Sequence, residues 1–336
     1  MADIPLSNKT EFGIHNNSLR YTWATYNIFI LLSSLIGDTT IIVASTKYKA
    51  FKLQRTIVVI IQHIAVCDLM VSVVSVFPRV VSLIANGWVF GDILRYVAAY
   101  GIYYFTAVGL LLIAVMTTTK LFLLKFPFRA RSLSSKKGHI VCVVMWILAL
   151  LLIATVFVVD KDDVLFDHRT YDCRLGFSAD IWRWLKPVLV GLFALIPNII
   201  VVSTTVYLLI IARGFARRGG DNLKWQGIIT TILVALVYCI SILPYTIYTF
   251  ISYSGAGFAD DQHSFFRTHY NRLVKSFIFI NTISNFYIYS MTVASFREFL
   301  MSSKLFKCCV SPGDATSFPL QSSGTKSSSG VSGDEV

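Results

Sequence analysis

Seven long hydrophobic stretches divide the chain and constrain its fold more than any other feature. They cover, approximately, residues 24–46, 56–84, 96–124, 138–159, 185–212, 225–253 and 269–293. A membrane-spanning α-helix needs about 20 mostly apolar residues, whereas a strand of a membrane barrel needs about 10. The stretches therefore predict an all-α membrane protein, built as a seven-transmembrane helix bundle.

The charges are few and unevenly placed. Only 14% of the 336 residues are charged and 55% are hydrophobic, which argues against disorder, a coiled coil and a soluble enzyme. Lys and Arg concentrate after the first, third, fifth and seventh stretches, while six Asp residues follow the fourth. Because basic loops stay in the cytoplasm, we expect the N-terminus outside the cell. The net charge of +12 then belongs to the cytoplasmic face, and we expect no bound nucleic acid.

The remaining segments flank the helices. We expect an extracellular tail over residues 1–23, the seven-helix domain over 24–294, a short amphipathic eighth helix over 295–310 and a disordered cytoplasmic tail over 311–336. The apolar and charged residues of the eighth helix suit the membrane interface, in contact with lipid.

Two kinds of modification are predicted outside the helices. The triplets that begin at Asn8 and Asn16 fit the pattern N-x-Ser/Thr, which marks glycosylation sites in an extracellular segment. Cys308 and Cys309 lie beside the membrane, where they are either palmitoylated or free cytosolic thiols.

A small group of polar residues lies inside the stretches, where such residues are functional candidates. Asp38 and Asp68 lie midway along the first and second stretches, and Asn281 and Asn285 share one face of the seventh. Two close, buried carboxylates cannot both ionise at low cost, so one holds a proton or a cation lies between them. The group predicts either a sodium or proton site or a hydrogen-bonded polar knot.

Three prolines interrupt the stretches. Pro78, Pro197 and Pro244 lie in the second, fifth and sixth. Each removes an intrahelical hydrogen bond and predicts a kink. Kinked helices suit a bundle that encloses a cavity, in a receptor or in a transporter.

Short motifs occur in a fixed order along the stretches. They are HIAVCDL at 63–69, NGWVFG at 86–91, KFPFR at 125–129, ILPY at 242–245 and NFYIY at 285–289, together with Gly37-Asp38 and Trp146. In this order the chain resembles a rhodopsin-like (class A) G-protein-coupled receptor, over residues of about 22–310. The resemblance implies a plasma-membrane receptor that signals to a heterotrimeric G protein, with arrestin as a further partner and no cofactor other than a bound sodium ion.

The chain departs from this family where the family contacts its G protein. The family's Asp-Arg-Tyr is Thr119-Lys120-Leu121 here, and Lys224 takes the place of an acid on the sixth helix. Lys120 keeps a positive charge without the planar fork of arginine, so a resting ionic latch is expected to be absent. The main alternative is a non-signalling or attenuated seven-helix scaffold or decoy receptor. The resemblance assigns coupling and activation to Thr119, Lys120, Lys224, Pro244 and Tyr289.

The disulfide of the family's outer face is also expected to be absent. Cys173 matches the partner in the second outer loop, but the partner on the third helix is Arg95. An outside cysteine without this partner is either a free thiol or bonded to another molecule.

The resemblance places a small-molecule or peptide ligand in the outer half of the bundle. Ile102 replaces the aspartate of the family's amine receptors, which argues against a monoamine. Arg79 and Lys275 favour an anionic group on the ligand, although both can instead reach water or pair with the acidic second outer loop. The candidate ligand-binding residues are Arg79, Tyr103, Thr106, Tyr245, Tyr248 and Lys275.

Other functions have less support. A retinal photoreceptor would need a lysine at Phe279, and Lys275 is one helical turn away. A transporter would show internal repeats, and none is visible in the sequence. The six histidines show no metal-ligand spacing, and no catalytic motif is found, so we expect neither a metal centre nor an enzyme.

Overall fold

The computed structural model describes most of the hydrophobic part of the chain. It describes residues 17–46, 54–130, 133–160, 164–168, 170–175, 181, 185, 188–189, 191–217, 222–253 and 264–302, without the side chains of 130, 160, 191, 215–217, 222–224, 248–253 and 264–275. Asn8, Asn16, Cys308, Cys309 and the tail 311–336 lie outside the described residues, as does most of the predicted tail 1–23.

Long apolar helices occupy each predicted stretch. In chain order they are Asn17–Thr46, Arg55–Ala85, Gly91–Lys125, Ser135–Asp160, Ile196–Arg217, Asn222–Tyr253 and Ser264–Thr292, here called the first to the seventh helix. Pro127–Ala130 and Ala294–Ser302 are short helices that follow the third and the seventh. Six helices are long and apolar enough to cross a membrane alone, and the seventh qualifies together with the short helix after it. The predicted seven-helix membrane bundle with a short C-terminal helix is confirmed.

The surface of this bundle is apolar, as expected for a surface in contact with lipid. Large apolar side chains such as Phe29, Leu151 and Ile240 are exposed, while Asp38 and Asn285 are buried. In a soluble domain large exposed apolar faces are rare, whereas lipid tails are as apolar as leucine. The third helix lies centrally and packs against the second, fourth, fifth and sixth helices. Residues through Phe299 form one unit, and a second begins at Leu300.

The helices deviate from ideal geometry near two of the three prolines. A π-helical turn, Ser72–Val76, precedes Pro78, and another, Gly191–Leu195, precedes Pro197. Proline lacks the N–H and crowds the preceding turn, and a π-turn provides room there for one extra residue. The sixth helix instead continues through Pro244. The seventh helix ends at Thr292, and the short helix that follows leaves at 97°.

A β-hairpin caps one end of the bundle, here called the hairpin end. Its strands, β1 (Val164–Asp167) and β2 (Asp172–Leu175), are antiparallel. β2 alternates polar and apolar residues over the minimum length for a strand signal, whereas β1 does not alternate, so the pattern for a hairpin is incomplete in the sequence. Apolar residues of both strands pack against Ala98 and Ala99 of the third helix. The Tyr171 hydroxyl donates to Asn86 Oδ1 at 2.6 Å, which fixes the hairpin to the segment after the second helix.

Candidate functional site

A cavity of about 210 Å³ lies among the helices at the hairpin end. Its wall comes from the second, third, fourth, sixth and seventh helices, from the segment before the fifth helix, from Trp88 and from the hairpin. Of the six predicted ligand-binding residues, Arg79, Tyr103, Thr106 and Tyr245 line this cavity. The side chains of the other two, Tyr248 and Lys275, lie outside the described residues. Helix positions far apart in sequence thus line one cavity.

Most of the cavity wall is apolar. Ile102 of the third helix, Ile242 of the sixth and Phe279 of the seventh contribute to it. Ile102 is the position at which an amine receptor of the family would carry its acid. Among the described wall residues the acid is instead Asp172 of β2, a position that the sequence analysis did not select. The cluster of aspartates in that loop was the sequence feature that could have indicated Asp172.

Arg79 is the cation of the described wall, and it is deeply buried. Its side chain is 4% exposed, and its Nε lies 3.5 Å from Asp172 Oδ1. Its guanidinium carbon lies 5.3 Å from the centre of the Phe279 ring, a cation–π distance. Of the partners expected for Arg79, which were an anionic ligand group, water and the acidic second outer loop, the structure shows the acidic loop.

The hairpin is held to the third helix by packing where the family uses a disulfide. Cys173 is buried in a cluster with Ala98 and Leu175. Arg95, which takes the position of the helix cysteine, forms an ion pair with Asp92 at 2.6 Å. The hairpin thus gains its position from apolar contacts and from the links of Tyr171 and Asp172.

The predicted polar group lies buried in the middle of the bundle. Ser34 Oγ donates to Asp38 Oδ2 at 2.6 Å, and Ser72 Oγ donates to Ser34 Oγ at 2.6 Å. Asn285 Nδ2 donates to Asp68 Oδ2 at 2.7 Å. These bonds join the first helix to the second and the second to the seventh, which is the polar knot expected from the sequence. Asn281 is also buried, one turn from Asn285.

Two oxygen atoms of this group are available to a cation. Among the described residues, Asp38 Oδ1 and Asn285 Oδ1 are buried without a hydrogen-bond partner. Carboxylate, amide and hydroxyl oxygens are ligands of hard cations. No group of three or more His, Cys, Asp or Glu with metal-ligand geometry occurs in the part of the chain that the structure describes. The knot is therefore present, and the cation site stays a prediction.

The first and seventh helices approach closely beside this group. A Cβ atom on Gly37 would lie 2.8 Å from the Cβ of Phe286, well inside van der Waals contact. Glycine at 37 thus lets the seventh helix pass next to Asp38. Phe286 stands where the family has a proline.

At the opposite end of the bundle Lys120 is partly buried. It forms no ion pair with any residue that the structure describes. Thr119 is partly buried, Tyr289 is fully buried, and the side chain of Lys224 lies outside the described residues. The third, fifth and sixth helices are joined here by an apolar cluster, built from Leu121, Leu124, Leu208, Ala212, Trp225, Ile228 and Ile232.

Hydroxyl contacts between helices were not predicted. Thr230 Oγ1 of the sixth helix lies 2.8 Å from Thr292 Oγ1 of the seventh. Thr204 Oγ1 of the fifth lies 2.9 Å from Thr117 Oγ1 of the third. Threonines are frequent in these helices, and their own-turn carbonyls accept such hydroxyls, so sequence alone gives no signal for these pairs.

Comparison with known proteins agrees with this architecture. The family model described as "7 transmembrane receptor (rhodopsin family)" matches residues 37–289. A QRFP-like peptide receptor of Branchiostoma floridae is 20% identical over 319 residues, which cover 88% of this chain and 81% of that receptor.

Two dopamine receptors are similar over a shorter region. The D(1A) dopamine receptor of Didelphis virginiana is 29% identical over 136 residues, and the D(1C) dopamine receptor of Xenopus laevis is 27% identical over 143. These matches span 40% and 42% of this chain and 30% of each receptor. The match to the family model is much longer and covers the seven-helix region, from the glycine beside Asp38 to Tyr289, so the chain belongs to the rhodopsin family of seven-transmembrane receptors.

Proposed function

We propose that this protein is a plasma-membrane receptor that transmits the signal of an extracellular ligand to a heterotrimeric G protein, with its N-terminus outside. The observation that carries the proposal is the cavity at the hairpin end, whose wall includes Tyr245 and Thr246 of the sixth helix. Those residues directly follow Pro244 within one long helix. A ligand in the cavity thus contacts the helix that reaches the opposite end of the bundle.

The ligand is a small molecule or the end of a peptide. A cavity of about 210 Å³ is small, and its wall is mostly apolar. One relative is named a peptide receptor and two are named dopamine receptors. Ile102 offers no charge to an amine, and Asp172 is already paired with Arg79, so an amine ligand is disfavoured.

The signal passes along the sixth helix. Ligand contact at Tyr103, Thr106 and Tyr245 shifts the sixth helix about Pro244, where the missing N–H weakens the helix. This movement separates Thr230 from Thr292 and opens a crevice beside Lys120 and Tyr289. The Thr119-Lys120-Leu121 segment then meets the G protein.

The experiment that tests coupling measures recruitment of a panel of G-protein mimics to the surface-expressed receptor without ligand. We expect recruitment by the wild type and its loss in Lys120→Ala, because the cation at the crevice is removed. Lys125→Ala is the matched control, since Lys125 is an exposed lysine at the end of the same helix.

Two results would contradict coupling. Silence in the wild type with recruitment by Lys120→Arg would identify an attenuated receptor or scaffold. Silence in all variants at normal surface expression, persisting after ligand screening, would favour a non-signalling scaffold.

The same proposal includes further partners and modifications. A sodium ion binds at Asp38 and Asp68, and arrestin meets the cytoplasmic face. Asn8 or Asn16 carries glycan, and Cys308 and Cys309 carry palmitate at the membrane surface, in contact with lipid. These parts rest on the sequence patterns and on membership in the family.

A further inference from the structure

Arg79 carries more hydrogen-bond donors than its surroundings accept. Its contact with Asp172 is 3.5 Å long, whereas charge-assisted N–H···O bonds are typically about 2.7–2.9 Å. Among the described residues neither Nε nor Nη1 of Arg79 has a hydrogen-bond partner. A guanidinium has five N–H donors, and donors left unpaired in a buried site cost free energy. The site is therefore incomplete with Asp172 alone.

The lining of the cavity around Arg79 indicates which kind of ligand would satisfy the unpaired donors of Arg79. The guanidinium lies over Phe279, and the wall beyond it is mostly apolar. Arg79 and Asp172 are the charged residues of the described wall. A complementary ligand has an apolar body and a hydrogen-bond acceptor at one end.

Asp172 is the partner that can be exchanged. Its side chain is 15% exposed, against 4% for Arg79, so it lies nearer to water. The hairpin keeps other anchors, because Tyr171 bonds Asn86 at 2.6 Å and Cys173 and Leu175 pack on the third helix. Leaving Arg79 without any anion would strand a buried charge at high cost. The group that replaces Asp172 must therefore itself be an anion.

We propose that the ligand of this cavity is an apolar monocarboxylate, whose carboxylate replaces that of Asp172 and pairs with Arg79 through two N–H groups. The proposal rests on the ligand site proposed above and adds the chemical class of its ligand. A planar carboxylate matches the guanidinium fork, and the apolar body takes the place of water against the wall. Asp172 acts as an internal competitor that holds Arg79 until the ligand arrives.

The test measures thermal unfolding of the purified full-length receptor in detergent, a readout that needs no G protein. The probes are straight-chain carboxylates from hexanoate to hexadecanoate, each beside the amide and the amine of equal length. We expect at least one carboxylate to raise the unfolding temperature, and its matched amide and amine to leave it unchanged.

Two variants assign the effect to the ion pair. Asp172→Asn removes the competitor, and it should lower the half-maximal carboxylate concentration about tenfold. The double variant Arg79→Gln/Asp172→Asn leaves no unpaired charge, and it should lose the stabilisation. The matched control is Asp92→Asn/Arg95→Gln, which removes an ion pair of the same end outside the cavity wall and should respond as the wild type does.

Three results would overturn the proposal. They are stabilisation by the amide equal to that by the carboxylate, an unchanged response in Arg79→Gln/Asp172→Asn, and no stabilisation of either the wild type or Asp172→Asn by any carboxylate. Asp172→Asn leaves Arg79 without an anion and the double variant does not, so if Asp172→Asn does not fold, the double variant decides by losing or keeping the response; if the double variant does not fold, the gain in Asp172→Asn decides. Carboxylate stabilisation without recruitment of any G-protein mimic supports this ligand class and counts against G-protein coupling, so the two failures are distinguishable.

Discussion

At position 37 there is no room for a side chain larger than hydrogen. A Cβ on Gly37 would lie 2.8 Å from the Cβ of Phe286, in a region where both helices are held by buried partners. We expect Gly37→Ala to destabilise the protein by about 1–3 kcal/mol, the usual cost of overpacking. The unfolding temperature of the detergent-purified receptor measures it.

Gly214→Ala is the control for this substitution, because nothing lies within 4 Å of a Cβ built there. In a Phe286→Gly background the Gly37→Ala substitution should cost less than in the wild type, since the Cβ that the new methyl group meets is then absent. Equal unfolding temperatures of Gly37→Ala and Gly214→Ala would show that the first and seventh helices do not approach so closely.

The buried oxygens of Asp38 and Asn285 lead to a second prediction at the same scale. Asp38 Oδ1 and Asn285 Oδ1 have no hydrogen-bond partner among the described residues, and a sodium ion would be coordinated by such oxygens and by Asp68. We therefore expect sodium chloride to raise the unfolding temperature more than choline chloride does. The difference should vanish in Asp68→Asn. Equal effects of the two salts on the wild type would contradict sodium binding and would show that these residues serve only as a hydrogen-bonded knot between helices.

Among the elements, the sixth helix joins the cavity to the opposite end of the bundle. Lys120 has no ion pair among the described residues. The movement of the sixth helix proposed above would have to break a hydroxyl contact between the sixth and seventh helices. The contact joins Thr230 and Thr292 at 2.8 Å, and a neutral hydrogen bond contributes about 0.5–1.5 kcal/mol. We expect Thr230→Val to raise ligand-free recruitment of G-protein mimics about two- to tenfold.

Thr231→Val is the matched control for Thr230→Val. Thr231 is equally buried, and its hydroxyl lies 2.9 Å from the Gly227 carbonyl of its own helix, as that of Thr230 lies 2.7 Å from the Gln226 carbonyl. Of the two hydroxyls, only that of Thr230 contacts Thr292. Thr292→Val should act like Thr230→Val, and the double variant should add nothing to either, because all three remove one contact. Additive effects would mean that the two threonines act separately.

The seven long helices could be predicted from the sequence, whereas the hairpin and the Thr230–Thr292 contact could not. Hydrophobic length located all seven helices, because a bilayer demands long apolar runs of any spanning helix. The hairpin was missed, since β1 shows no alternation and the position of both strands depends on contacts with the third helix. The Thr230–Thr292 contact was missed for the same reason, as only the packing of two helices defines it.

Across the whole molecule, the candidate cavity could be predicted in part. Arg79, Tyr103, Thr106 and Tyr245 were selected through the resemblance to a family and do line one cavity. The role of Asp172 was not foreseen, because six aspartates in that segment are equivalent in sequence and only the hairpin brings this one to Arg79. Charge patterns therefore indicate which loops meet, and the fold decides which residues pair.

The same charge pattern makes a prediction about the orientation of the whole chain. Basic residues concentrate in the segments after the odd-numbered helices, and such segments stay in the cytoplasm. The tail that contains Asn8 and Asn16 should then be glycosylated. Antibodies should bind a tag added at the N-terminus on intact cells. Glycosidase should increase the mobility of the wild type and leave Asn8→Gln/Asn16→Gln unchanged. A C-terminal tag, the internal control, should stain only after permeabilisation. The reverse staining pattern would show that the distribution of Lys and Arg does not set the orientation of this receptor.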